Sequence, residues 1–137
     1  MENSKIFLFT SDRGEGWGAV LNEAMNSCCA VIASHEIGSV PFLIDENVNG
    51  FIYENGNIND LFDKVCLLLS DNNKSVSIGK EAYNSMNSLW NAKIAAARLI
   101  ELSESLLRDE AFNKYLDGPC SKANIIFDNW FNNNKFK

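Results

Sequence analysis

Long apolar runs are missing from this chain. Nothing approaches the roughly eighteen consecutive apolar residues of a membrane-spanning helix, and the opening MENSKIFLFTSDRGE follows one short apolar stretch directly with acidic and glycine-containing sequence. Neither a transmembrane helix nor a secretory signal is legible there. Basic residues are also few, with 12 Lys and Arg against 18 Asp and Glu and a formal net charge of -6. Nucleic-acid affinity comes from many clustered cations, so that class of function drops out. The four cysteines, Cys28, Cys29, Cys66 and Cys120, contain no CxxC pair, and the adjacent two would be strained if bridged to each other. They read as reduced thiols, buried as small hydrophobes in a cytosolic protein. His35 is the one histidine, and with no recognisable acid or nucleophile partner in sequence it is given no general-base role. No His, Cys or Asp cluster has metal-ligand spacing, so no metal and no cofactor is expected.

What remains is a chain of 137 residues that is 46% hydrophobic, enough for one globular domain with a substantial core. Ile6-Phe7-Leu8-Phe9-Thr10 is a short β-rich run stopped by Ser11-Asp12-Arg13-Gly14, the pattern of a strand buried on both faces of a parallel sheet. A second such run lies at Ala30-Val31-Ile32-Ala33, and Ala19 to Met25 between them has helical spacing. The unit reads as strand, loop, helix, strand. Gly38 to Ile44 enters a short helix with Pro41 in its first turn, Asn49-Gly50 is a turn, and Phe51-Ile52-Tyr53 is a third strand. Asn59-Asp60 is expected to cap a helix to about Leu69, Val76 to Leu89 to hold another, and Asn91 to cap a last one. That last helix has an apolar side in Ile94, Ala97, Leu99, Ile100, Leu102, Leu106 and Leu107. The fold class is α/β, a partial Rossmann-like parallel sheet with helices toward the C-terminus. Three short strands make a thin sheet, and an open edge favours pairing between two copies. Residues 109–137 mix aromatics and asparagines without a period and receive no role.

The informative segment is Ser11 to Gly18, which follows a strand and opens a helix, where doubly wound sheets bind their ligands. Amides at such a helix start attract diphosphates, and Gly16 and Gly18 carry no Cβ to obstruct them. Arg13 reads as a solvated loop residue rather than a phosphate ligand. Trp17 reads as core, its contribution to a site being its backbone. Glu15 precedes the helix and Glu23 lies eight residues on, inside it, with carboxylates expected roughly 8–12 Å apart. Carboxylates only accept hydrogen bonds, so each suits a pair of ligand hydroxyls, with the helix start between them for an anion.

At these residues the chain resembles a known family. Glu15-Gly16-Trp17-Gly18 through Glu23-Ala24-Met25 is similar to the EGFGxxxxEAM segment of the retaining glycosyltransferase family 4, which has the two-Rossmann-domain GT-B architecture. Ala30 to Ser34 resembles that family's PVVAS strand, Ile37 to Pro41 its GGVPE loop, and Asn49 to Tyr53 its NGxLV strand. Trp90-Asn91 falls where the family has a tryptophan before its final helix. The likeness covers about residues 6–107. Three positions depart from the pattern: Cys28-Cys29-Ala30 replaces Gly-x-Pro, Ser39 replaces a glycine, and Phe42 stands where a Glu is usual.

The resemblance implies that residues 1–108 are the second half of a nucleotide-sugar-binding domain, with 109–137 a tail. It implies a parent enzyme of hexosyltransferase type, moving a sugar from a nucleotide diphosphate donor to a glycan or lipid-linked acceptor with retention, in polysaccharide biosynthesis. Glu15 then takes the catalytic position against the donor sugar, the backbone of Gly16, Trp17 and Gly18 lines sugar and phosphate, and Glu23 binds the ribose. The family's diphosphate-pairing cations and acceptor domain lie in sequence this chain lacks, so the chain alone is expected to be inactive. The full-length protein is expected in the cytoplasm, peripheral at the inner membrane face. The alternative is a non-catalytic nucleotide-sugar-binding or protein-interaction module.

Overall fold

The computed structural model describes residues 1–112, 114–123, 125–127 and 130–131. Strands β1 (Ile6–Phe9), β2 (Ala30–Ser34) and β3 (Phe51–Tyr53) form one parallel sheet in the order β1-β2-β3. Ile6 lies opposite Ala30 and Phe9 opposite Ala33, while Ile32 lies opposite Phe51 and Ser34 opposite Tyr53. Helices α1 (Ala19–Asn26), α2 (Val40–Leu43), α3 (Ile58–Ser70), α4 (Asn72–Ser88) and α5 (Ala92–Leu107) follow in chain order around it. The expected α/β class with a parallel sheet is what forms.

Alternation along β2 builds two cores, because successive side chains of a strand leave on opposite faces. Val31 and Ala33 join Phe9, Leu21, Met25, Ile37, Leu43 and Met86 on one face. Ala30 and Ile32 join Phe51, Tyr53, Leu68 and Ile78 on the other. All five residues of β2 are buried. The outer strand β1 departs from the expectation of burial on both faces, since Leu8 is 45% exposed. On that side α3 packs over β2 and β3 and α4 over β2, with Ile6 of β1 against the same cluster, while Leu8 lies beyond it.

Two helix starts lie earlier than polarity suggested. Asn57, rather than Asn59-Asp60, caps α3, its Oδ1 accepting the Asp60 N–H at 3.1 Å. Asp71 caps α4, its Oδ1 accepting the Lys74 N–H at 2.9 Å, so the helix begins at Asn72, four residues ahead of the apolar Val76 that marked the expected start. Val76 itself is exposed, so apolarity was the wrong marker; a cap satisfies the polar first turn without burial. Asn91 caps α5 as expected, accepting from Ile94 N–H at 3.0 Å, and Pro41 lies in the first turn of α2.

The expected apolar side of α5 is not buried: Leu99, Ile100, Leu106 and Leu107 are each more than half exposed. The cysteines are free, as expected, but only Cys29 is buried; Cys28 and Cys66 are exposed and Cys120 is intermediate. Cys28 falls in a left-handed turn between α1 and β2 (φ 58°), which turns its side chain outward. Among the described residues, no helix is long and apolar enough to cross a membrane.

Candidate functional site

The end of β1 delivers the chain into the loop that precedes α1. Asp12 organises its start, the carboxylate accepting the Gly14 N–H at 2.8 Å and the carbonyl accepting the Glu15 N–H at 3.0 Å. Gly18 ends it in the left-handed region (φ 75°, ψ 57°) as the N-cap of α1. A Cβ there would stand 2.8 Å from Phe9 Cε1 and 2.9 Å from Ile37 Cγ2. Gly18 is therefore demanded by internal packing and backbone conformation, not by room for a ligand, and it is buried. Gly16 is different, because a Cβ built there meets nothing within 4 Å. Its neighbourhood is open.

Gly18 supplies no side-chain cap to α1. The Gly18 carbonyl accepts the Leu21 N–H at 2.9 Å, but the N-cap offers no side-chain acceptor to the amides of the first turn, which carry the positive end of the helix dipole. A second loop, between β2 and α2, is sewn to the first. Gly38 N–H donates to the Gly16 carbonyl at 3.0 Å and Ser39 N–H to the Trp17 carbonyl at 3.1 Å.

Where these loops meet at the carboxyl ends of β1 and β2 lies a cavity of about 290 Å³. Arg13, Glu15 and Gly16 line it from the first loop, and His35, Glu36, Ile37, Gly38 and Pro41 from the second. Ile126, Phe127 and Trp130, from the tail, complete the wall. Glu36 is held by Asn55 Nδ2 at 2.7 Å and Arg13 Nε at 3.4 Å. His35 Nδ1 accepts the Asn55 N–H at 2.9 Å, so a neutral His35 carries its proton on Nε2.

Of the residues singled out in sequence, Glu15 and Gly16 line this cavity together. Trp17 is 43% exposed and so is not core. Its indole stacks on Phe42 at 5.8 Å between centroids and donates from Nε1 to Asn22 Oδ1 at 3.0 Å, outside the hydrophobic interior. Glu23 stands exposed on α1 and is not among the lining residues. Arg13 is solvated as expected, with 57% of its side chain exposed, and is also on the cavity wall. Sequence reading passed over Glu36 and Asn55. Glu36 had a usable signal, its place just beyond the carboxyl end of a strand; Asn55 had none. No group of three or more His, Cys, Asp or Glu among the described residues is arranged to hold a metal ion.

Comparison with known proteins gives a consistent picture. The family model for glycosyl transferases group 1 matches residues 1–85. A poly(ribitol-phosphate) alpha-N-acetylglucosaminyltransferase of Staphylococcus aureus is 34% identical over 82 residues, covering 60% of this chain and 16% of that enzyme. The C-terminal domain of a glycosyl transferase group 1 family protein from Francisella tularensis superposes with a TM-score of 0.59 at 31% identity, covering 64% of this chain and 44% of that one. An Anabaena protein, HepE, solved in complex with UDP, superposes with a TM-score of 0.59 at 25% identity over 69% of this chain and 26% of its own. This chain thus spans less than half the length of each. Its three-stranded parallel sheet with flanking helices is similar to domains of GT-B glycosyltransferases.

Proposed function

The chain belongs to the glycosyl transferases group 1 family, and from that premise we propose that it supplies donor contacts to a retaining transferase of family 4 type. The observation that carries this reading is the cavity at the carboxyl ends of β1 and β2, where the Glu15 side chain and the open backbone at Gly16 meet next to the uncapped start of α1. In this assignment Glu15 accepts hydrogen bonds from donor-sugar hydroxyls. The backbone of Gly16, Trp17 and Gly18 lines the sugar and phosphate, and Glu23 holds the ribose diol. The leaving diphosphate gains charge as the glycosidic bond breaks, and fixed amides at a helix start stabilise such charge without reorganising. No metal is assigned to that task; the remaining positive charge comes from cations outside these 137 residues, together with the acceptor site.

UDP in the HepE complex makes UDP-sugars the first donors to try. Because the chain spans 16% of the Staphylococcus aureus enzyme, transfer by this chain alone is not part of the proposal. A glycan or lipid-linked acceptor, a role in polysaccharide biosynthesis and a cytoplasmic place of action at the inner membrane face belong to the longer parent. Four free thiols fit a reducing compartment. Pairing of two copies through the β1 edge, where Leu8 is exposed, is a separate proposal that sedimentation of the purified chain decides.

The test is ligand-observed NMR on the chain with UDP, GDP, UDP-glucose and GDP-mannose, repeated on Glu23→Ala. Binding of one nucleotide series that disappears in Glu23→Ala supports the ribose assignment and names the base. Equal binding by the variant overturns the role of Glu23, and no binding to any of the four overturns the donor-contact reading for this chain.

A further inference from the structure

The tail, which has no motif, returns to the cavity. Trp130 N–H donates to the Phe127 carbonyl at 3.0 Å, and both aromatics stand with Ile126 on the cavity wall. Trp130 and Phe131 pack against the core cluster on the α1 face of the sheet. Phe131 stacks on His35 with ring centroids 5.0 Å apart and planes 24° apart, and Trp130 lies 6.4 Å from the same imidazole. His35 is a firm base for that stack, because its N–H donates to the Tyr53 carbonyl at 3.0 Å and its Nδ1 accepts from Asn55.

We infer that Trp130, with Phe127 beside it, is the aromatic wall of the donor-sugar subsite and sets which hexose ring the cavity accepts. The inference rests on the donor reading above. A hexopyranose presents hydroxyls at its rim and C–H groups on its faces. The carboxylates of Glu15 and Glu36 suit the rim, since they accept and never donate, and a broad apolar ring face suits the other surface. A phosphate group fits less well, because two carboxylates share the space and Arg13 Nε is turned to Glu36. Size agrees: 290 Å³ is just below the roughly 300–1,000 Å³ that small-molecule pockets span, room for one sugar ring and not for a whole nucleotide sugar.

The experiment is saturation-transfer NMR on the chain with UDP-glucose, UDP-N-acetylglucosamine and GDP-mannose, comparing hexose-ring with ribose signals in the wild type, Trp130→Ala and Trp130→Phe. In Trp130→Ala the hexose signal of the bound donor is expected to fall relative to ribose, because the ring face against it is gone, and donor affinity to fall about threefold to tenfold, the change an aromatic contact carries. Trp130→Phe keeps a ring face and is expected to retain most of it. The ribose signal is the internal control for folding and nucleotide binding. An unchanged hexose-to-ribose ratio in Trp130→Ala overturns the inference, as does a rise, which would make the tail an obstruction. Ribose signal without hexose signal in the wild type overturns this inference and the sugar contact of Glu15 while the nucleotide contacts stand; no signal from any donor overturns the donor reading and this inference with it.

Discussion

Gly38 and Gly16 meet backbone to backbone: the Gly38 N–H donates to the Gly16 carbonyl at 3.0 Å, and a Cβ on Gly38 would sit 2.2 Å from that oxygen. One contact therefore joins the loop after β1 to the loop after β2, and the cavity lies between them. Gly38→Ala forces the loops apart and is expected to cost about 2–4 kcal/mol, near the upper end for single substitutions. Urea unfolding measures it; a loss under about 0.5 kcal/mol would mean the loops are not held by this contact.

Gly16→Ala is the contrasting change. Its Cβ would enter open space, so stability should stay within about 0.5 kcal/mol of the wild type. If a donor approaches the backbone there, the same methyl group weakens nucleotide-sugar binding. Thermal melts and ligand titration on one sample separate the two effects, and unaltered binding would remove Gly16 from the site.

Asn49, which in sequence was only half of a turn, is a buried hub. Its Oδ1 accepts the Asp45 N–H at 2.7 Å, and its Nδ2 donates to the Leu43 carbonyl at 2.9 Å and Ser85 Oγ at 3.0 Å. These bonds tie the end of α2 to α4. Asn49→Leu removes all three bonds and takes from the Leu43 carbonyl its donor, while Ser85 Oγ keeps its bond to the Glu81 carbonyl, and about 1–3 kcal/mol of destabilisation is expected. Chemical denaturation is the check.

Asp60 makes stability depend on pH. Burial pushes its carboxyl up, but the Lys64 ammonium and the Glu54 N–H, which donates to it at 2.9 Å, more than offset that and hold it below its ordinary value. The folded value lies below the unfolded one, so the stabilisation is complete above the ordinary aspartate range and is lost as pH falls through the folded value. Lys64→Met should cost about 0.5 kcal/mol at neutral pH and progressively less in acid. A difference that grows on acidification would contradict the assignment.

The thiols should react in two classes. Cys28 and Cys66 are exposed, whereas burial pushes the Cys29 thiol up and its Sγ lies 3.3 Å from the Ser4 carbonyl. A disulfide reagent under native conditions is expected to modify Cys28 and Cys66 promptly and Cys29 only on unfolding. Mass mapping of the adducts checks this.

Much of the fold was legible because periodicity reports burial. The β2 run Ala30 to Ala33 is apolar on both faces and is buried on both, and Asn91 and Pro41 announce helix starts by chemistry local to the chain. Reading failed where burial depends on a neighbour. Leu8, Leu99, Ile100, Leu106 and Leu107 look like core in sequence, but all five are exposed. Val76 looks like a helix start, while the cap at Asp71 decides it.

The sequence by itself determined the order of strands and helices, the family motif from Glu15 to Met25, and the need for glycine near the loops. Those are short-range properties, set by side-chain type and spacing. Tertiary structure alone decided that Gly38 must pass against Gly16, that Gly18 is demanded by Phe9 and Ile37, and that Glu36 is clamped between Arg13 and Asn55. It also decided that a tail without pattern puts Phe127 and Trp130 into the cavity wall. Such contacts join residues far apart in the chain, and no local spacing encodes which distant backbone or ring will arrive beside them.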